Sequence, residues 1–311
     1  MEPAVTADSA STADPGQAVC AVVVTWQPDL SGLLELLDQL TAQSCAVIVI
    51  DNGSANADQL ELATAQRSSI VLLRWPDNRG LAAAMNAGLQ WANDNGFARA
   101  FLFDQDSTLT EGFCAGMLSA WQQAEAVSAL PVAAIGPRLQ DPVSGRRTPF
   151  RLFRLWRRSD QLMAGAQDLY QADFLISSGC LLSLPALDRI GPMKESYFID
   201  NIDLEWCFRA RACGHALFGT DAATLMHAIG EPSSNPLVRA GLMVQHSPLR
   251  SYYSTRNRLH LYRQDYAPLS WKVRDSVRFA LKSLWLLLCS AQRRDYWRQI
   301  RRGIQDAGKL V

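Results

Sequence analysis

Short, continuous apolar runs alternate with stretches of helical periodicity through the first third of the chain. The run at 19–25 is rich in β-branched residues, which predicts a strand that is buried on both faces. Leucines then recur at helical spacing between Leu33 and Leu40. This alternation predicts an α/β fold with a parallel, doubly wound sheet. The predicted strands are 19–25, 46–50, 70–74, 100–103, 132–136 and 174–180, the last with a turn at Gly179.

Polar residues follow three of these strands at the point where each strand ends. They are Thr25, Asp51 with Asn52, and Asp104 with Asp106. Asp and Asn are common in turns, which would explain any one of them alone. Parallel strands, however, bring their carboxyl ends to one edge of the sheet, where open α/β folds bind ligands. We therefore predict a ligand crevice at this edge.

The two aspartates after the fourth strand, Asp104 and Asp106, stand at alternate positions. Their carboxylates offer hard oxygen ligands to one divalent cation, which could also hold a diphosphate. An aspartate-rich turn without a ligand is the alternative. The early chain has no Gly-x-Gly-x-x-Gly sequence and no Walker A loop, so neither of those nucleotide sites is expected. The small-residue helix at 80–88 would bring Asn78 and Asn86 to the same edge, or would simply pack closely on the sheet.

A second acidic cluster lies in the segment 200–209, where a helix is predicted to begin at Ile202. Asp203 falls in the first turn, where the helix dipole favours a carboxylate. Glu205 precedes Arg209 by four residues, the order that favours a helical ion pair. These features have a purely structural explanation. The aromatic neighbours would also desolvate a carboxylate and raise its pKa, which suits a general base.

Cationic and aromatic residues gather later in the chain, where they could hold phosphate oxygens by charged hydrogen bonds. Packing of a helix on the protein surface is the competing explanation. His227 ends an apolar run and is either a metal ligand or an ordinary core or surface residue. The arginine-rich segment 146–158 is predicted to lie at the surface, near an anionic ligand or simply solvated. The cationic and aromatic set is Arg250, Tyr252, Tyr253 and Arg256.

Composition limits the classes of function. The net charge of zero argues against a general nucleic-acid binder. The cysteines are odd in number and scattered, as is typical of core residues in a reducing compartment. Residues 1–18 contain no Lys or Arg and no signal-peptide pattern, so we predict a disordered tail and a cytoplasmic protein. The apolar run at 284–289 is far shorter than the roughly 20 residues of a membrane span.

Residues 263–311 form a basic region with helical periodicity. The stretch 271–311 holds ten basic and three acidic residues, interleaved with apolar positions. Basic amphipathic helices bind membrane surfaces, so a peripheral contact with the inner face of the cytoplasmic membrane is predicted. Packing on the rest of the protein, or a homodimer contact, would explain the same pattern.

Taken together and in order, these segments resemble glycosyltransferase family 2, whose members have the GT-A fold. The resemblance covers about residues 19–262 and is greatest to bacterial rhamnosyltransferases that use dTDP-L-rhamnose. The usual Glu-Asp pair of the family is here Ile202-Asp203, so a single acid occupies that position. The matching motifs are VVTWQP at 23–28, VIDNGS at 49–54, NRG with NAG between 78 and 88, LFDQDS at 102–107, FIDNIDLEW at 198–206 and HSP at 246–248.

The resemblance implies a Rossmann-like, mostly parallel sheet flanked by helices. Its nucleotide-binding half would be 19–110 and its acceptor-binding half 111–262, followed by the helical region 263–311. Mg²⁺ or Mn²⁺ would be the cofactor. The implied metal ligands are Asp104, Asp106 and His227, with Asp106 favoured as a direct ligand.

The resemblance also implies roles for individual residues. Asp203 would be the catalytic base, with Asp200 and Glu205 as alternatives. The implied donor-binding residues are Thr25, Asp51, Asn52, Asn78, Gly80, Asn86, Asp104, Arg250, Tyr253 and Arg256. The implied acceptor-binding residues are Gly179, Asp200, Glu205 and Trp206.

The implied reaction is a single displacement. Asp203 would take the proton of an acceptor hydroxyl while that oxygen attacks the anomeric carbon, so the configuration would invert. The donor would be dTDP-L-rhamnose, and the acceptor a glycan or a polyprenyl-diphosphate-linked glycan in the synthesis of a cell-surface polysaccharide such as an O-antigen.

Three alternatives remain. A UDP-hexose or UDP-galactofuranose could replace the donor within the same mechanism. A sugar nucleotidyltransferase is disfavoured because residues 19–66 contain no Lys or Arg to form a basic phosphate loop. A non-catalytic nucleotide-binding subunit is disfavoured because both acidic clusters are retained.

Overall fold

The computed structural model describes residues 19–154, 158–226 and 247–310. A central sheet lies between two layers of helices, which confirms the predicted α/β class. The first four strands form where the apolar runs predicted them. These strands are β1 Val19–Thr25, β2 Ala46–Asp51, β3 Ile70–Arg74 and β4 Arg99–Asp104.

The sheet is mostly parallel, as predicted. Its strand order is β3-β2-β1-β4-β10-β6-β11-β5, and β9 pairs with β11. Strand β10 runs antiparallel to both of its neighbours, β4 and β6. Strands β7 and β8 form a separate two-stranded sheet. The later strands are β5 Thr108–Leu109, β6 Val132–Gln140, β7 Arg151–Leu152, β8 Arg158–Ser159, β9 Leu169–Ala172, β10 Leu181–Ser183 and β11 Ala216–Met226.

Alternate residues of β1 pack against different helical layers. Ala21 and Val23 belong to the core that includes α1 and α4, whereas Val22 and Val24 belong to the core that includes α3 and α6. Because both faces are covered, a continuous apolar strand is stable here. The helices around the sheet are α1 Leu30–Ala42, α2 Ala57–Thr64, α3 Leu81–Asp94, α4 Phe113–Val127, α5 Leu184–Ile190 and α6 Ile202–Ala212.

The predicted strand at 174–180 is wrong, whereas the turn predicted at Gly179 is confirmed. Only an isolated bridge at Phe174 is found there, and β10 begins at Leu181, after a turn at Gly179. The N–H of Leu175 donates to the sulfur of Cys207 over 3.4 Å instead of joining a ladder. The apolar character of this segment reflects burial in the core, which a strand and an irregular segment share.

The helix α3 packs very closely on the sheet. A Cβ atom at Gly88 would lie 2.2 Å from Cγ1 of Val22 in β1. The small residues of this helix therefore have a packing function, as the structural explanation of the sequence pattern proposed.

Three helices follow the sheet: α7 Pro248–Arg263, α8 Leu269–Cys289 and α9 Arg293–Asp306. Helix α9 packs on α7, where a Cβ at Gly303 would lie 2.8 Å from the carbonyl oxygen of Tyr252. Among the described residues, no helix combines the length and the apolar character that crossing a bilayer requires. The division into 19–110, 111–262 and 263–311 stays a prediction, and the predicted tail at 1–18 lies outside the described ranges.

Candidate active site

The ends of β1 and β2 meet in a hydrogen-bonded network. The hydroxyl of Thr25 donates to Oδ1 of Asp51 over 3.2 Å, and Oδ2 of Asp51 accepts from the N–H of Ser54 over 3.2 Å. Thr25 and Asp51 are completely buried. The sheet edge thus brings these predicted residues together, and their polar groups hold the loop that follows β2.

The amide of Asn52 connects this edge to the start of α3. Its oxygen accepts from the N–H of Arg79 over 2.8 Å, and its nitrogen donates to Oδ1 of Asn78 over 3.2 Å. Asn78 also accepts from the N–H of Gly80. Gly80 has a φ of +93°, and a Cβ there would lie 2.7 Å from the ring of Phe198. A side chain at position 80 would therefore collide with Phe198, which belongs to the loop before α6. Glycine thus allows the strand edge and the second acidic cluster to lie close together.

Asn86 bonds to residues other than those at the ends of β1 and β2. Its amide nitrogen donates to the carbonyl oxygen of Met193 and to Glu195, each over 2.9 Å, and its oxygen accepts from the N–H of Met193 over 2.8 Å. All these bonds join α3 to the segment before α6. Asn86 thus links α3 to the segment at 193–195 by hydrogen bonds.

The predicted metal-binding aspartates follow β4. Oδ2 of Asp104 accepts a short hydrogen bond from the hydroxyl of Ser178. The side chain of Gln105 accepts from the N–H of Trp26 over 2.7 Å, which ties this turn to the end of β1. Asp106 is exposed and forms no salt bridge with a described residue. These two carboxylates fit the oxygen-rich donor set that Mg²⁺ and Mn²⁺ prefer.

The third predicted metal ligand, His227, lies outside the described residues. Within the described ranges, no group of three or more His, Cys, Asp and Glu side chains is arranged to hold a metal ion. Protein ligands from Asp104 and Asp106 alone would suit a cation that also binds phosphate oxygens of a nucleotide.

Asp203 lies in the first turn of α6, which begins at Ile202 as predicted. Its Oδ1 accepts from the N–H of Leu204 over 2.8 Å. The N–H of Ser177 also stabilises this carboxylate, while the next residue, Ser178, binds Asp104. Of these two consecutive serines, Ser177 contacts Asp203 and Ser178 contacts Asp104. The two carboxylates therefore occupy neighbouring positions.

The carboxyl of Asp203 keeps part of its surface open to a pocket but is otherwise surrounded by protein. This burial is the largest cause that raises its pKa, from 3.8 to about 6. The negative charges of Asp104 and Asp200 raise the pKa further, and the N–H groups of Leu204 and Ser177 lower it. With a pKa of about 6, the group is mostly ionised at pH 7 and still accepts a proton readily, as a general base requires.

The loop before α6 has an unusual backbone. Phe198, Asp200 and Asn201 all have positive φ angles, of 62°, 68° and 61°. Such angles are uncommon for residues other than glycine and are costly unless the surroundings hold them. This loop directly precedes Asp203 in the sequence. The conformation of the loop therefore sets the position of Asp203 relative to Asp104.

Helix α7 supplies that fixation. The buried amide nitrogen of Asn257 donates to the carbonyl oxygens of Tyr197, Ile199 and Asp200 over 2.8–2.9 Å. Nε of Arg250 donates to Oδ1 of Asp200 over 3.0 Å. These contacts fix the backbone of the loop and hold the residues with positive φ angles in that conformation.

Two other predicted donor-binding residues also contact this loop. Tyr253 stacks on Phe198 with ring centroids 4.9 Å apart, and Arg256 donates to the carbonyl oxygens of Ser196 and Tyr197. In the structure the cationic and aromatic set of α7 thus packs against and hydrogen-bonds protein groups. The explanation by helix packing accounts for these contacts.

The remaining predicted acceptor-binding residues lie in the interior. Glu205 is buried, and its carboxylate binds Arg209 over 2.8 Å and the hydroxyl of Tyr266 over 2.7 Å. Trp206 is buried and donates to the carbonyl oxygen of Gly191 over 3.1 Å. Gly179 is a buried turn residue with a φ of +75°. None of the three is open to an acceptor in this structure.

A pocket opens beside Asp203 between β7, α6 and α8. Its wall includes Phe153, Phe174 and Trp271, together with arginines on β7 and α8. An aromatic wall with a carboxylate at one end is suited to a sugar, because apolar sugar faces pack on aromatic rings while hydroxyls bind the acid.

Sequence reasoning missed two residues of this arrangement. No role was predicted for Ser178, which lies in the segment 174–180, or for Asn257. The turn predicted at Gly179 was the available signal that Ser178 lies beside the sheet edge. The role of Asn257 had no such signal, because its partners lie more than 50 residues away in the sequence.

Comparison with known proteins identifies the family. The model of the family described as "Glycosyl transferase family 2" matches residues 20–191, which is more than half of the chain. The chain belongs to glycosyltransferase family 2. It is therefore a glycosyltransferase, and the resemblance found in the sequence is confirmed. A curated relative, the dTDP-rhamnosyl transferase RfbF of Shigella flexneri, is 29% identical over 274 residues, which are 88% of each chain.

Solved structures resemble this glycosyltransferase in fold. GalNAc-T7 with UDP, GalNAc and Mn²⁺ superimposes with a TM-score of 0.60 at 11% identity, over 94% of this chain and 56% of that one. This chain thus spans little more than half the length of GalNAc-T7. Residues 1–349 of S. aureus TarS with UDP-GlcNAc superimpose with a TM-score of 0.60 at 13% identity, over 95% of this chain and 84% of that one. Both support the GT-A fold.

Proposed function

We propose that this glycosyltransferase transfers L-rhamnose from dTDP-L-rhamnose to a glycan or lipid-linked glycan, with inversion at the anomeric carbon. The name of the Shigella relative supports the donor, because its sequence aligns with 88% of this chain. The synthesis of a cell-surface polysaccharide of the O-antigen type is the proposed pathway. A UDP-hexose or UDP-galactofuranose is the alternative donor.

The observation that carries the proposed mechanism is the position of Asp203. Its carboxylate borders the aromatic pocket, and the negative charge of Asp104 raises its pKa. An acceptor hydroxyl in the pocket would give its proton to Asp203 as its oxygen attacks the anomeric carbon. The bond from that carbon to the diphosphate breaks in the same step, so no covalent intermediate with the protein is needed.

Asp104 and Asp106 would hold Mg²⁺ or Mn²⁺, which when bound neutralises the departing diphosphate. The hydroxyl of Ser178, which donates to Oδ2 of Asp104, would help to orient this carboxylate. The Mn²⁺ named with GalNAc-T7 supports the metal as a proposal, since the two proteins share a fold. The nucleotide would lie along the edge formed by Asn52 and Asn78.

A panel of nucleotide-sugars tests the donor. We expect dTDP-L-rhamnose with Mn²⁺ to raise the unfolding temperature of the protein, because a ligand that binds only the folded state stabilises it by mass action. Product analysis with the same donor should show inverted configuration. Stabilisation by UDP-hexoses alone would replace rhamnose as the donor, and stabilisation by no nucleotide-sugar would refute the proposed function.

We also propose a peripheral contact with an anionic membrane through α8. This helix of 21 residues carries an apolar stripe along its outer side, and each residue of the stripe is more than half exposed. The stripe is therefore not explained by packing on the catalytic domain. Its members are Leu269, Val273, Val277, Leu281, Leu284 and Leu288.

Charge favours a phospholipid surface over a second copy of the chain. Between 269 and 306 there are nine Lys and Arg and three Asp. All three aspartates bind basic residues of the same chain: Asp275 with Arg258, Asp295 with Arg298, and Asp306 with Lys309. A symmetric dimer would bring this basic surface against itself, whereas anionic headgroups would neutralise it.

Sedimentation with vesicles tests this contact. Replacement of Val277, Leu281 and Leu284 by Gln should weaken binding to phosphatidylglycerol vesicles at least about tenfold, since buried apolar area drives such binding. Leu62→Gln, on α2, is the control because Leu62 is 76% exposed. Equal binding by the triple variant, or equal binding to neutral vesicles, would contradict the proposal. Sedimentation velocity would reveal a dimer instead.

A further inference from the structure

Arginine side chains border the same pocket as Asp203. Arg274 and Arg278 lie one turn apart on α8, and Arg151 joins them from β7. None of the residues of the strand edge, and neither Asp104 nor Asp106, lines this pocket. The arginines are thus on the acceptor side of Asp203.

The guanidinium groups of Arg274 and Arg278 make few contacts with described residues. Arg274 donates to the carbonyl oxygens of Ser270 and Arg154 over 2.9 and 2.6 Å. Arg278 is exposed, and neither it nor Arg274 forms a salt bridge with a described residue. A guanidinium has five N–H donors, so most of those on both side chains remain for a ligand.

The single other acid of the pocket wall does not neutralise them. Asp275 lies between the two arginines in sequence, but its carboxylate binds Nε of Arg258 and the hydroxyl of Tyr262, each over 2.7 Å. The local charge beside the aromatic wall is therefore positive. An anionic group fits that charge, and paired arginines recognise phosphate oxygens by bidentate hydrogen bonds.

The aromatic rings of the wall pack against neighbouring aromatic rings. Phe153 meets Phe208 edge-on at 5.5 Å, and Phe208 meets Trp271 at 5.2 Å. The hydroxyl of Ser270, at the start of α8, donates to the carbonyl oxygen of Phe153. The arginines of α8 are thus held at a fixed distance from the aromatic rings, so that a sugar and an anionic group of one ligand could bind together.

We propose that Arg274 and Arg278 form an anion subsite for the acceptor, and that the acceptor carries a phosphate or diphosphate ester next to the sugar that receives the transferred residue. This proposal rests on the proposed function, because it takes Asp203 as the base. Val273 and Val277 of the apolar stripe on α8 directly precede Arg274 and Arg278 in the sequence. A diphosphate at the head of a lipid could therefore reach the arginines from the membrane surface.

Calorimetric titration of the full chain with farnesyl diphosphate tests the subsite. EDTA is present, so that diphosphate cannot bind through a metal at Asp104 and Asp106. We expect binding to the unaltered protein and at least tenfold weaker binding to R274Q/R278Q, because charged hydrogen bonds are lost. R293Q/R294Q is the matched control, since it removes two exposed arginines from α9, outside the pocket.

The single variant R278Q guards against a folding defect, because Arg278 is exposed, and it should weaken binding several-fold. Pyrophosphate and farnesol separate the sources of binding. Arginine-dependent binding of pyrophosphate would support recognition of the phosphate alone, and a need for the farnesyl chain as well would support a lipid-borne diphosphate. Equal losses in the two double variants, or farnesol binding as tightly as farnesyl diphosphate, would overturn the proposal.

A nucleotide control separates this inference from the proposed function. R274Q/R278Q should be stabilised by dTDP with Mn²⁺ as much as the unaltered protein, since the arginines lie outside the strand edge. Stabilisation by dTDP without any binding of farnesyl diphosphate would remove the anion subsite and leave the proposed glycosyl transfer intact.

Discussion

Replacement of Asp203 by Asn should stabilise the fold while it abolishes most of the activity. The raised pKa means that the folded protein holds this carboxylate less favourably than water does. The pKa rises from 3.8 to about 6, which corresponds to about 3 kcal/mol at roughly 1.4 kcal/mol per pKa unit. Because part of the carboxyl is open to the pocket, we expect a gain of about 2 kcal/mol at pH 7.

The gain should depend on pH in a defined direction. Above pH 6 the carboxylate is ionised in both the folded and the unfolded protein, so the full penalty is present. As the pH falls from about 6 toward 3.8, the folded state binds the proton first and the penalty disappears. The stability difference between Asp203→Asn and the unaltered protein should therefore fall by more than half between pH 7 and pH 4.5.

Urea unfolding at the two pH values measures this difference, and initial rates of sugar transfer measure the activity. A general base contributes about 10²–10⁴ to the rate, so the variant should lose a factor in that range. Asp188→Asn is the control, because Asp188 is an exposed acid outside the pocket. Equal stability of Asp203→Asn and the unaltered protein at pH 7, or full activity of the variant, would refute the assignment of a desolvated base.

Three other predictions follow from the contacts around the site. Asn257→Leu should lower the free energy of unfolding by about 2–3 kcal/mol in urea, because three carbonyl oxygens of the loop lose their donor; unchanged stability would contradict the claim that Asn257 holds this loop. Gly88→Ala should cost about 1–3 kcal/mol by the same assay, since its Cβ would meet Val22; a tolerated Ala would mean that α3 can shift. Removal of divalent cations by EDTA should abolish transfer and Mn²⁺ should restore it, whereas Asp106→Asn should lower kcat about a hundredfold at saturating Mn²⁺; full activity in EDTA would exclude the metal site.

The strand edge could be predicted from the sequence because the chain itself fixes it. Each buried strand is an apolar run, and parallel pairing then brings Thr25, Asp51 and Asp104 to one edge. The start of α6 at Ile202 could also be predicted, because Asp203 and Glu205 are acidic residues of the kind that favour the first turn of a helix. These features depend on neighbouring residues and on one rule of sheet topology.

The functions of the α7 side chains could not be predicted in this way. Arg250, Tyr253 and Arg256 have the composition of a phosphate site, yet in the structure they contact the loop at 196–200. The same guanidinium can bind a phosphate, a carboxylate or a carbonyl oxygen, and only the tertiary arrangement decides which one is near. The segment 174–180 failed for a related reason, because burial and strand formation leave the same apolar pattern.

The contact of Gly303 with α7 affects how this enzyme can be recombined with its relatives. Helix α9 touches the backbone of α7 at Tyr252, and Asn257 on α7 holds the loop that carries Asp203. An exchange of the last two helices alone would place a foreign surface against α7 and disturb that loop. A hybrid enzyme should therefore inherit 198–206 and everything from α7 onward from a single parent.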